Sequence, residues 1–228
     1  MNKGKLYGVG VGPGDPELIT LKALRVIGQC PVLAIPRTHK RHTMALDIAA
    51  QSIDVGEKEI LYLDFSMSPD AAVRNVNHEG LSKQLMNALD SGNDVAMLNI
   101  GDPLLFGTFS YMAEIVQTHG YEIEAVAGVP SFCACAAALG QSLTTMRQPL
   151  HIFPASYSEL ESGLTLPGGK VVMKSAHALA DVLTLIEKNG ISGHAAAVCD
   201  CGLPSQRVCR DVSEAGSESY FTTILIRP

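Results

Sequence analysis

Gly8-Val9-Gly10-Val11-Gly12-Pro13-Gly14-Asp15-Pro16, reached through a short apolar run near the start of the chain, reads as a strand end followed by a loop almost free of side chains. Glycine reaches positive φ and lets another backbone or a flat ligand come close, while Pro13 and Pro16 stiffen the same turn. The loop is bare and held in shape, so it reads either as a ligand bed or as a tight strand-to-helix turn, and local sequence weighs the two equally. A dinucleotide fingerprint is excluded. Gly8 and Gly10 lead to Pro13, and Gly10 and Gly12 lead to Asp15, so Gly-x-Gly-x-x-Gly fails in each register. Asp15 also puts a negative charge where a pyrophosphate needs helix N–H groups.

Outward from this loop, short apolar runs alternate with longer amphipathic stretches as far as about residue 126, the pattern of an α/β unit. Strands are predicted over 6–11, 32–35, 60–65, 94–100 and 122–126, and helices over 20–27, 43–51, 71–89, 108–118 and 131–139. Thr20 and Ser131 suit N-caps, and Gly120 and Gly140 follow helix ends. Beyond Gly140 strands crowd together, over 151–153, 170–174, 195–199, 207–210 and 221–226, with one sizeable helix over 178–188. The fold class expected is therefore two α/β domains, residues 1–126 with an open, mostly parallel sheet and residues 127–228 with a mixed sheet containing antiparallel pairs.

With 228 residues and 46% hydrophobic content the chain can bury sizeable cores. No apolar run approaches the roughly 20 residues of a membrane span, and Met1-Asn2-Lys3-Gly4 leads into a strand with no secretory pattern, which predicts a cytoplasmic protein without membrane partners. A net charge of -6 argues against nucleic acid as a partner. Cys133/Cys135 and Cys199/Cys201 lack the two-residue spacer of zinc or redox sites; they read as buried small apolar residues, and no metal ligand is expected.

Two further loops repeat the first. Asn99-Ile100-Gly101-Asp102-Pro103-Leu104-Leu105-Phe106-Gly107 follows the most hydrophobic strand of the first half. Ligands of open α/β sheets lie beyond the carboxyl ends of the strands, so this loop and the first face one crevice with Asp102 pointing in; the alternative for Asp102 is an Asx-turn or a helix cap. Ala127-Gly128-Val129-Pro130-Ser131-Phe132 brings a hydroxyl to a helix start, as a cap alone or as a cap that also meets a ligand.

These motifs, in this order and at these separations, resemble the tetrapyrrole methylases that use S-adenosyl-L-methionine. The resemblance continues through Leu203-Pro204-Ser205-Gln206-Arg207-Val208 and Tyr220-Phe221-Thr222-Thr223-Ile224-Leu225, and so spans nearly the whole chain. The opening from Leu6 to Ala23 is most similar to the members that methylate carbon 20 of precorrin-2 or cobalt-factor II on the route to cobalamin. The resemblance implies a homodimer, a tetrapyrrole substrate, and S-adenosyl-L-homocysteine as the spent donor. It carries donor contacts onto Pro13, Gly101, Asp102, Leu105, Phe106, Ser131, Phe132, Met173 and Thr223.

Methylating a ring carbon that bears hydrogen leaves a proton to remove, and Asp102 is the candidate base, with Tyr220 and His42 behind it and a path to water as the alternative. A polycarboxylate ring needs cations concentrated in one place. Arg37, Lys40 and Arg41, with His39 and His42 between them, form the densest basic run and are the candidate substrate contacts; the alternative is a solvated loop. Arg74 and Arg147 are further candidates. The rival functions are methylation of another ring position or of a protein imidazole, and binding of a tetrapyrrole or adenosyl compound without turnover.

Overall fold

The structure, a computed structural model, describes residues 3–37, 43–175, 178–216 and 221–228. The chain divides into two compact units, residues 1–130 and 131–228.

The first unit holds strands β1 (Leu6–Gly10), β2 (Val32–Arg37), β3 (Glu59–Asp64), β4 (Val95–Asn99) and β5 (Ile123–Val126) in the order β3-β2-β4-β1-β5. Every pairing is parallel, so the sheet is fully rather than mostly parallel. Helices α1 (Leu21–Gln29), α2 (Met44–Ala50), α3 (Ala71–Asp90) and α4 (Phe109–Thr118) cover both faces. That double cover explains the unbroken apolar run from Val32 to Ile35, since alternate residues meet opposite helix layers. Leu6, Val32, Ala34, Val95 and Met97 pack with Leu81, Leu85 and Leu89 of α3 and Phe109, Met112 and Val116 of α4. Val9, Leu33, Ile35, Ala96 and Leu98 pack on Ala23, Val26 and Ile27 of α1 and Ala45, Ile48 and Ala49 of α2.

Gly8 is a strand residue because α4 leaves no room for another: a Cβ there would lie 2.4 Å from the Phe109 ring. Thr20 caps α1, its Oγ1 accepting from the Ala23 N–H at 3.1 Å. β1 runs on to α1 on one face while its neighbour β4 runs on to α4 on the other, so the chain parts between them at their carboxyl ends. Open α/β sheets bind ligands at such a point.

The second unit comprises α5 (Ser131–Leu139), β6 (Leu150–Pro154), α6 (Leu160–Leu164), β7 (Gly169–Met173), α7 (Leu179–Lys188), β8 (Ala195–Cys199), β9 (Arg207–Cys209) and β10 (Thr222–Ile226). Its sheet, β6-β7-β10-β8-β9, pairs β6 with β7 in parallel and the other neighbours antiparallel, the mixed sheet expected. Leu160 and Leu164 of α6 and Leu179, Val182 and Ile186 of α7 share a core with Val172, Ala197, Ile224 and Ile226, while α5 packs against β8 and β10.

Three details differ from the sequence reading. Ser131 is the first residue of α5 and not the cap before it. Helix α6 was not expected; Gly163 within it lets the Phe153 ring come to 2.8 Å of where a Cβ would stand, so packing and not propensity makes this turn helical. Cys133 is exposed, whereas Cys135, Cys199 and Cys201 are buried as expected.

Lys5, just before β1, and Lys22 of α1 hold Glu124 of β5 between them, at 2.8 and 2.7 Å. Hydrogen bonds from Lys22 and Lys5 hold the Glu124 carboxyl down to about 2. A carboxyl depressed on folding stabilises the fold above its ordinary pKa of 4.5 and loses that contribution as pH falls towards about 2. Urea midpoints of wild type and Glu124→Gln are therefore expected to differ at pH 6 and to converge on acidification through that window.

Candidate functional site

The ends of β4, β1 and β5 lie side by side, and backbone hydrogen bonds join the loops leaving β4 and β1. Val11 N–H donates to the Asn99 carbonyl at 2.9 Å and Gly101 N–H to the Gly12 carbonyl at 2.7 Å, so Gly12 and Gly101 form a short antiparallel bridge. Both have left-handed φ, +77° and +72°, which a side chain would strain. The Gly101 carbonyl oxygen is wedged between two more glycines. A Cβ on Gly10 would stand 2.5 Å from it and one on Gly128 2.1 Å.

Asp102 belongs to this junction. Its Oδ1 accepts the Leu104 N–H at 2.9 Å, the Asx-turn that the spacing allowed, and its Oδ2 accepts the Gly128 N–H at 3.0 Å. Nothing in the sequence signals the second bond, which joins residues 26 positions apart. The loop then turns through Phe106 at φ +53°, a left-handed conformation that costs a non-glycine residue about 1 kcal/mol or more. Leu104 and Phe106 stand 63% and 41% exposed, apolar side chains at the carboxyl end of a parallel sheet. Bare backbone beside exposed apolar groups suits an adenosyl sulfonium, which needs close approach and little added charge. Pro13 is buried in the first loop, and Asp15 turns its carboxylate onto the Glu17 N–H at 2.8 Å, taking a donor that a phosphate would need.

In the second unit, Ser131 is half-buried and Phe132 buried at the start of α5, and Met173 is half-buried at the end of β7. Thr223 of β10 is 6% exposed. A hydrogen bond with Cys201, together with burial, pushes the Cys135 thiol well up, as expected of an inert core thiol. Lys174, immediately after Met173, is left-handed at φ +57°, and burial pushes its amine down. The sequence reading passed over Lys174 because nothing local marks it.

Arg37 is not the open cation that its neighbourhood suggested. Parallel pairing of β2 and β3 sets Arg37 opposite Asp64, and the two form a two-point ion pair at 3.0 and 2.9 Å. The guanidinium also lies 4.0 Å over the Tyr62 ring. Its charge is shared with Asp64 within the fold. Arg74 likewise turns its Nη1 onto the carbonyls of Ser68 and Pro69. Lys40 and Arg41, with His39, His42 and Tyr220, lie outside the described residues.

Comparison with known proteins places this geometry. A family model described as tetrapyrrole (corrin/porphyrin) methylases matches residues 5–215. A cobalt-precorrin-2 C(20)-methyltransferase of Salmonella typhimurium is 30% identical, with 98% of this chain and 96% of that protein covered. A probable enzyme of the same name from Methanocaldococcus jannaschii is 36% identical, over 80% of this chain and 77% of its own. Among solved structures, a uroporphyrin-III C-methyltransferase from Thermus thermophilus, complexed with S-adenyl homocysteine, superposes with a TM-score of 0.74 at 23% identity and covers 97% of both chains.

The junction's crowding predicts a contrast between glycines. Gly128→Ala is expected to cost about 1–3 kcal/mol by forcing a methyl group against the Gly101 carbonyl. Gly80→Ala, in α3 with nothing within 4 Å of the new Cβ, is expected to gain about 0.5–1 kcal/mol. Chemical denaturation of the two variants measures both.

Proposed function

Because this chain belongs to the tetrapyrrole (corrin/porphyrin) methylases, we propose that it moves a methyl group from S-adenosyl-L-methionine to carbon 20 of precorrin-2 or cobalt-factor II, in cobalamin biosynthesis. The observation that carries the ring position is the end-to-end similarity to the Salmonella relative.

The chemistry asks for little from side chains. The donor is a sulfonium whose positive charge disappears as the methyl moves, so an apolar surround with a few carbonyl dipoles does not favour the ground state over the transition state. Pro13, Gly101, Asp102, Leu105, Phe106, Ser131, Phe132, Met173 and Thr223 are the proposed donor contacts. Holding the methyl about 3–3.5 Å from the ring carbon, in line with the breaking bond, supplies most of the acceleration.

Substrate carboxylates must be met locally by a chain whose net charge is -6. Lys40, Arg41 and Arg37, which also pairs with Asp64, are the proposed partners. A homodimer, as the family resemblance implies, and a cytoplasmic location, as the sequence reading expects, complete the proposal.

Incubation with methyl-labelled donor and either metal-free or cobalt-loaded macrocycle, followed by mass spectrometry, is expected to show one methyl added to the pigment at carbon 20. Label on another ring position, or on protein, overturns the reading. Lys40→Ala and Arg41→Ala are each expected to raise KM for the macrocycle about tenfold, the loss of one charge-assisted bond, with kcat little changed.

A further inference from the structure

We propose that Asp102 is a positioning residue: its carboxylate straps the loop after β5 to the loop after β4 across the bare end of β1, and the proton released on methylation goes to water. The proposal rests on the methyl-transfer reading above for its consequence, while the strap itself stands on the ligand-free geometry.

The sheet order carries the argument. β4 and β5 do not pair; β1 lies between them. With neighbouring strands about 4.8 Å apart, the two loops leave the sheet roughly 9–10 Å from each other. The loops converge over Gly10, where a Cβ would stand 2.5 Å from the Gly101 carbonyl and 2.7 Å from Gly128 N, and Asp102 bonds across that contact to the Gly128 N–H at 3.0 Å. Gly101, left-handed at φ +72°, turns the chain so that its carbonyl drops between Gly10 and Gly128. The short-range bond to the Leu104 N–H then fixes the carboxyl orientation, leaving the other oxygen facing the Gly128 N–H. One carboxylate therefore sets two of the bare bends against each other, and the Gly12–Gly101 bridge ties in the third.

These bonds fix the carboxylate in place. Each Asp102 oxygen accepts one backbone N–H, so the group cannot swing towards a ring C–H without breaking the strap, which favours water as the acceptor of the proton. In the step itself the S–CH3 bond breaks as the C–CH3 bond forms; the electrons of the ring C–H bond then return to the macrocycle, and water takes the proton.

Asp102→Ala removes both bonds. Asp102→Asn keeps the shape but turns an NH2 towards one of the two N–H groups, so it loses one. The first measurement is hydrogen–deuterium exchange of ligand-free protein. Asp102→Ala is expected to speed exchange about tenfold or more in both 101–107 and 127–130, and Asp102→Asn to do so less. Unchanged exchange in 127–130 overturns the strap. The second is binding and turnover. Both variants are expected to weaken S-adenosyl-L-homocysteine in calorimetry by about tenfold or more, while the kcat–pH profile keeps the wild-type acid limb. Wild-type affinity with a lost acid limb and a collapsed kcat makes Asp102 the base and overturns the proposal. If wild-type protein gives no heat with S-adenosyl-L-homocysteine, the functional reading fails, and the exchange result still decides the strap.

Discussion

One carbonyl oxygen organises the first unit. Gly101 O sits where side chains on Gly10 and Gly128 would otherwise stand, and the ends of three adjacent strands close around it. Interstrand spacing brings these loops near each other, but contact between their backbones requires that nothing project from them. The glycines are thus demanded by the protein itself before any ligand is considered. A bare surface beyond them, edged by exposed Leu104 and Phe106, follows from that packing.

The same economy governs charge. At the junction Asp102 accepts backbone N–H groups with both oxygens, and Asp15 of the first loop accepts the Glu17 N–H. Nearby at the ends of β2 and β3, Arg37 and Asp64 cancel each other over the Tyr62 ring. Among the described residues, these strand ends therefore carry charges that are answered by neighbours, beside bare backbone.

Much of the architecture was legible from the residues. Strand and helix positions followed from apolar periodicity because a sheet covered on both faces needs continuous apolar strands, as in Val32 to Ile35 and Val95 to Leu98. Thr20 could be read as a cap because its hydroxyl acts within one turn. The ion-pair partner of Arg37 could not be read, since Asp64 lies 27 residues away and is supplied by parallel register. Helix α6 was invisible for a similar reason: its glycine is unfavourable locally and is justified only by the Phe153 ring.

The sequence by itself determined the α/β class, the parallel and mixed sheets, the three glycine-bearing loops and the family that this combination of motifs resembles, because each is written in local pattern and order. Only the tertiary structure decided what those loops do to one another. Whether an aspartate is a cap, a base or a strap depends on which N–H groups arrive opposite its oxygens. The long-range one, Gly128 N–H, is brought there by strand order, with β1 lying between β4 and β5.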